Sequence, residues 1–158
     1  MKINKRLLFI CIAIPVIVGM VSALLTRNSM ELFQSIDKPP LAPPGWLFPV
    51  VWTILYVLMG ISSYLILTSD TSREEKDQAI RLYAYQLLVN FLWPTFFFNF
   101  KWYFFSILWL ILLWVLVFLM IRKFLSINRV AGYINIPYLV WLTFALYLNI
   151  GIWWLNRL

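Results

Sequence analysis

Long uncharged runs, broken by short clusters of Lys, Arg, Asp and Glu, set the pattern of this chain. Five of the runs reach the roughly 20 residues that an α-helix needs to cross the hydrocarbon core of a bilayer: Leu7–Leu25, Leu41–Ser69, Leu82–Phe100, Trp102–Ile121 and Val130–Asn156. The pattern predicts an all-α integral membrane bundle of five transmembrane helices. It forms one domain over 1–158, with spans at about 7–25, 45–68, 80–100, 102–122 and 130–155. The second and fifth runs exceed the need, so their ends extend into loops. The first run is too long for a signal peptide and lacks a small-residue cleavage pattern. Pro15 within it predicts a kink of the kind membrane helices tolerate.

The connections are short, with one exception. Thr26–Gly45 is rich in proline (Lys38-Pro39-Pro40-Leu41-Ala42-Pro43-Pro44-Gly45) and reads as a stiff loop rather than a helix, because proline lacks a donor and biases its predecessor toward extended backbone. Lys101 alone marks the turn between the third and fourth runs, which predicts antiparallel neighbours. Nine basic residues (Lys2, Lys5, Arg6, Arg73, Lys76, Arg81, Arg122, Lys123 and Arg129) fall on the amino-terminal side of the spans, against four (Arg27, Lys38, Lys101 and Arg157) on the other. That bias predicts a cell-membrane protein with a cytoplasmic N-terminus, and with the 26–45 loop and C-terminus outside.

Composition narrows the chemistry. Of 158 residues 63% are hydrophobic and 12% charged, too apolar for water to be the only solvent. The net charge of +7 lies in gaps beside apolar runs, a placement suited to anionic lipid and not to nucleic acid. Histidine is absent, which removes the commonest general base and metal ligand. The single cysteine, Cys11, sits in the first run as a small hydrophobe. No metal or cofactor is called for. Asp70, Glu74, Glu75 and Asp77, with Arg73 and Lys76, read as a solvated turn.

Polar groups inside spans are costly and face the bundle interior or a cavity. At helical spacing the second span aligns Trp52, Tyr56, Gly60 and Ser63; the third Gln86, Asn90, Trp93 and Phe97; the fifth Tyr138, Trp141, Ala145 and Asn149; the first Pro15, Gly19 and Ser22. The fourth offers little beyond Ser106 and is expected at the lipid-facing edge, with the other four spans enclosing any cavity. Bland readings compete. Gly19, Ala23 and Gly60 fit close helix packing equally well, and Asn90 and Asn149 can bond to each other or to backbone carbonyls. Trp46, Trp102, Trp153 and Trp154 lie near span ends, where indoles anchor to the interface. Trp52, Trp93 and Trp141 lie within spans beside the amides, an arrangement suited to stacking on a flat, polycyclic ligand.

Three segments carry a resemblance: Lys38–Gly60 (KPPLAPPGWLFPVVWTILYVLMG), Gln86–Phe98 (QLLVNFLWPTFFF) and Ala131–Asn156 (AGYINIPYLVWLTFALYLNIGIWWLN). In order and position they resemble the TspO/MBR family of tryptophan-rich sensory proteins, which includes the translocator protein or peripheral benzodiazepine receptor. The resemblance covers almost the whole chain from Phe33 onward. It implies a five-helix bundle, usually a homodimer, that binds porphyrins and, in eukaryotic members, cholesterol and synthetic drugs. It also implies ligand-binding positions at Trp52, Asn90, Trp93, Trp141, Ala145 and Asn149, and lid positions at Phe33, Pro39, Pro43 and Pro44. Departures are Phe33 for a common Tyr, Leu41 for an aromatic, Pro49 for Gly, Pro94-Thr95 for Ser-Pro, Leu146 for Thr, and Ser106 where several relatives place an acid. After Tyr147 the next basic residue is Arg157, too far for the proposed sterol motif.

The expected function is therefore a membrane receptor or sensor that binds porphyrin-type tetrapyrroles in a Trp- and Asn-lined pocket, with the ligand and the bilayer as partners and no nucleic acid. One alternative is light-dependent porphyrin degradation, in which Trp52 and Trp141 would serve photochemistry because His and buried acids are lacking for acid–base catalysis. Another is transport of tetrapyrroles or sterols, for which neither a repeat nor a charged pathway is apparent.

Overall fold

Polar side chains immediately before the first helical residue cap three of the helices in the computed structural model, which describes residues 2–157. Asn4 accepts from the Leu7 amide (3.1 Å) and opens α1, Lys5–Thr26. Ser72 accepts from the Glu75 amide (3.2 Å) and opens α4, Arg73–Pro94, with Glu74 and Glu75 against the positive end of the helix dipole. Asn128 accepts from the Ala131 amide (3.1 Å) and opens the short α6, Arg129–Tyr133. Between them lie α2, Met30–Ser35, reached through a 3-10 turn at Arg27–Ser29; α3, Leu47–Leu67; and α5, Tyr103–Ile127. The last helix is α7, Ile136–Leu155, with Pro137 in its first turn, where a missing N–H costs nothing.

The result is an all-helical membrane bundle of five long helices, with no strand among the described residues. By length and apolar composition α1 with α2, α3, α5, and α6 with α7 can each cross a bilayer. The fifth long helix, α4, falls short because it starts at Arg73 and carries six charged residues in its first nine. The expected solvated turn is thus largely helix, and Glu75 is drawn into a pair with Lys123 of α5 (2.6 Å), which also donates to Gln78 (2.9 Å). Further along α4, Gln86 and Asn90 are buried, so its polarity faces protein.

Two other expectations are corrected. The 26–45 stretch is helical as far as Ser35, because the prolines begin only at Pro39 and Arg27–Ser35 holds none; the extended part is Ile36–Trp46. There Pro40 and Leu41 form the corner of a tight turn, with Leu41 at φ 68° and 83% exposed. The fourth span, α5, is not at the edge. Ser106, Leu110, Leu113, Val117, Met120 and Phe124 form one stripe at alternating spacings of four and three, each at most 1% exposed, packed between α4 and α7. Lys101, at φ 55°, makes the reversal that brings α5 back along α4.

α1 is the more peripheral helix and is held by close approach to α3. Pro15 has no N–H to give the Cys11 carbonyl, and that carbonyl lies against Gly60. A Cβ at Gly60 would overlap the Ile12 backbone and sit 2.7 Å from the Cys11 oxygen. Such contact needs glycine. Replacing Gly60 by Ala is expected to lower unfolding stability in detergent by about 1–3 kcal/mol, the usual range for overpacking. Gly45, with open space around it, provides the control: Gly45→Ala leaves the melting curve unchanged.

Candidate ligand-binding cavity

The cavity follows from which halves of the helices diverge. α1 from Val16 onward, the first three turns of α3, the last turn of α4 with the π-helical turn Thr95–Asn99, and α7 from Trp141 to Ile152 surround a space of about 400 Å³. Leu110 and Leu113 of α5 close its back. Pro94 interrupts α4 at the cavity wall, where it cannot donate to the Asn90 carbonyl, and the wider turn that follows turns Phe97 and Phe98 inward.

Trp52, Asn90, Trp93, Trp141, Ala145 and Asn149 all line this space, and so does Phe33 of α2. Pro39, Pro43 and Pro44 do not. Pro39 rests on α7, and with Pro40 it borders a shallow outer hollow beside Tyr147 and Trp154. Gly19 and Ala23 of α1 are lining residues too, and a Cβ at Gly19 would strike the Tyr56 ring, so these small residues shape the wall rather than a plain helix contact.

The two asparagines do not bond to each other. Asn90 (3% exposed) accepts from the Tyr56 hydroxyl (2.8 Å) and donates to the Tyr138 hydroxyl (2.6 Å). Tyr138 spends its proton on the Gln86 side-chain oxygen (2.9 Å), so a single chain of bonds joins α3, α4 and α7 beneath the cavity. Asn149 accepts from the Trp93 indole (3.2 Å) and donates to the Tyr103 carbonyl (3.1 Å), while the Ser106 hydroxyl shares its one proton between the Asn149 oxygen (3.1 Å) and the Tyr103 carbonyl (2.8 Å). Through Ser106 the fourth span thus reaches a residue of the cavity wall. The Trp141 indole nitrogen is buried with no acceptor among the described residues, a deficit that costs about 1–3 kcal/mol.

Above the amides the rings make a collar. Trp141 meets Phe48 edge-on (5.8 Å between centroids), Phe48 meets Phe33 (5.7 Å), Phe33 meets Phe98 (5.9 Å), and Phe98 meets Trp93 (6.2 Å). Below, Trp52 stacks on Tyr56 (5.6 Å) and stands edge-on to Tyr138 (6.0 Å). Tyr56 and Tyr138 shared the helical stripes, but only the structure shows them as partners of Asn90. Phe48 had no polar or small residue to single it out.

The proline segment is seated on the outer turns of α7. Asp37 and Asn156 exchange two hydrogen bonds (3.2 and 2.8 Å), the Tyr147 hydroxyl donates to the Pro40 carbonyl (2.7 Å), and Pro39 lies on Gly151. On the other side Asn99 accepts from Ser29 (2.7 Å) and donates to the Leu25 carbonyl (3.1 Å), clasping the end of α1 to the π-helical turn.

The family model for the TspO/MBR family matches residues 11–155. The chain is 33% identical over 156 residues to the tryptophan-rich protein TspO of Chlorobaculum tepidum, covering 97% of this chain and 99% of that protein. It is 37% identical over 124 residues to the protein CrtK of Rhodobacter capsulatus, 78% of each chain. To the translocator protein of Bos taurus it is 31% identical over 146 residues, 91% of this chain and 86% of the other.

The seat of the proline segment is open to test at Gly151, where a Cβ would come within 2.5 Å of the Pro39 ring. Gly151→Ala is expected to lift the segment off α7. Hydrogen exchange at the Asp37 amide should then accelerate by about tenfold, equivalent to roughly 1.4 kcal/mol of lost local protection. Exchange at wild-type rate would mean that the segment is held elsewhere.

Proposed function

The chain belongs to the TspO/MBR family, and from that premise we propose that it is a membrane receptor or sensor for porphyrin-type tetrapyrroles, bound in the cavity ringed by Trp52, Trp93 and Trp141. The observation that carries the reading is the convergence of three indoles and two buried amides from α3, α4 and α7 on one space. Indoles offer broad apolar faces for a planar macrocycle, and the amides add a few fixed polar points to orient it. A cavity of about 400 Å³ lies within the usual range for small-molecule sites. The name tryptophan-rich sensory protein, borne by a relative from Cereibacter sphaeroides that is 34% identical over 119 residues, supports a sensing role.

In this reading Trp52, Asn90, Trp93, Trp141, Ala145 and Asn149 form the binding surface. Phe33 closes the collar, and the seated proline segment braces the outer mouth. The basic-residue bias puts that mouth, with the C-terminus, on the outer side of a multi-pass cell-membrane protein.

Protoporphyrin added to the purified protein should quench tryptophan fluorescence saturably. Trp141→Phe, which removes an indole face from the collar, and Ala145→Leu, which fills space beside Asn149, should each weaken binding by about tenfold or more, the loss of roughly 1.4 kcal/mol of contact. Unchanged affinity in both variants would overturn the assignment of the cavity as the tetrapyrrole site.

A further inference from the structure

Several hydrogen-bond donors around the cavity are unused. Asn149 accepts from the Trp93 indole on its oxygen and has one amide hydrogen left over after Tyr103. Asn90 has its oxygen engaged by Tyr56 and likewise one hydrogen left after Tyr138. The Trp141 N–H is buried and unpaired. These N–H groups can serve an acceptor, beside the hydroxyls of Ser22, Thr26 and Thr53, whose oxygens are themselves free to accept.

Charge is what gives the cavity a preference. Arg27, at the end of α1, is the sole ionised residue among those lining the cavity. It is exposed at the outer rim, and among the described residues its guanidinium makes no ion pair and no hydrogen bond. The neighbouring cation is already occupied: Lys38 donates to the Gln34 and Ile36 carbonyls (3.4 and 3.3 Å) and lies over the Phe33 ring. Neither Glu31 nor Asp37 lines the space. A cavity whose wall is aromatic and whose rim holds an unpaired guanidinium as its sole ionised group is complementary to an apolar body carrying an anionic acceptor.

We propose that Arg27 is a specificity-determining residue, receiving a carboxylate of the bound ligand at the rim while the ring system lies within the collar. The proposal rests on the tetrapyrrole reading above and narrows it: the preferred ligands are porphyrins that carry free carboxylates. A lipid phosphate at the outer interface has the same chemistry and is the competing occupant of the guanidinium.

The test compares protoporphyrin, a dicarboxylate, with its dimethyl ester, using fluorescence quenching of the full-length protein in detergent without added anionic lipid. The wild type should bind the acid more tightly than the ester. Arg27→Gln should weaken the acid by about tenfold, the worth of one charge-assisted contact at a partly exposed rim, and leave the ester within about twofold. Arg27→Lys should restore most of the acid's affinity. Added anionic lipid should leave the acid's affinity unchanged in Arg27→Gln. Equal affinity for acid and ester, or an Arg27→Gln effect that is the same for both, overturns the carboxylate contact while leaving tetrapyrrole binding intact. Failure of either compound to bind saturably overturns the tetrapyrrole reading itself, and the contact with it. Because the Arg27 guanidinium makes no hydrogen bond or ion pair within the described residues, the substitution breaks no polar contact, and an unchanged melting curve confirms that binding alone is being read.

Discussion

Within a bilayer a phenol or an amide has no water as an alternative partner, and the chain of hydrogen bonds from Tyr56 through Asn90 and Tyr138 to Gln86 answers that constraint. Each bond in such a chain contributes only about 0.6 kcal/mol on average in membrane proteins. Its weight is geometric. Asn90 has a partner on α3 and another on α7, so the three helices cannot slide past one another without leaving polar groups unpaired at about 1–3 kcal/mol each. The second amide works in parallel. Asn149 joins α7 to α4 through Trp93 and to α5 through Ser106 and the Tyr103 carbonyl.

With the helices so pinned, large side chains can enclose space without collapsing into it. On the α1 side the wall is thinned by Gly19 and Ala23, and α1 itself is held lower down, where Gly60 meets the Cys11 carbonyl that Pro15 has released. At the outer end the collar of Trp141, Phe48, Phe33, Phe98 and Trp93 draws one ring from each of five segments. The proline segment does not enter the space. It is a strut, held on α7 by Tyr147, Gly151 and Asn156, and it fixes the path by which α2 delivers Phe33. Rigid backbone at the mouth and paired amides at the floor leave few groups to be ordered by anything that enters the space.

Much of this was legible before any coordinates, and the limits have physical causes. Charged gaps separate the long helices because hydropathy is a local property, and polar residues at helical spacing pick out the inner faces because hydrocarbon penalises the alternative. Where every face of a helix is apolar, hydropathy cannot tell the inner face from the outer. Leu110 and Leu113 are buried while Leu108 and Leu112 are exposed, yet nothing in their chemistry separates them, so α5 was expected at the edge. Hydropathy also misses the start of α4, whose first turns are charged but helical, since Ser72 and Glu75 give a capping signal that it passes over. The partners of Asn90 are phenols on two other helices, Tyr56 in the third turn of α3 and Tyr138 in the first turn of α7. The seating of Pro39 on Gly151 joins residues more than a hundred positions apart. Such pairings depend on tertiary approach and leave no mark in spacing.

The central claim is that Ala145, Trp141 and the two asparagines border an enclosed, ligand-accessible space rather than lipid. It is tested most directly by thiol reactivity in membranes, with Cys11 replaced by Ala. The Ala145→Cys variant should react with a small, charged methanethiosulfonate, and protoporphyrin should slow that reaction. The Leu112→Cys variant, at an exposed position midway along α5, should be inert with or without porphyrin. An Ala145→Cys thiol as inert as the one at position 112, or one that reacts at a rate protoporphyrin does not change, would contradict the account.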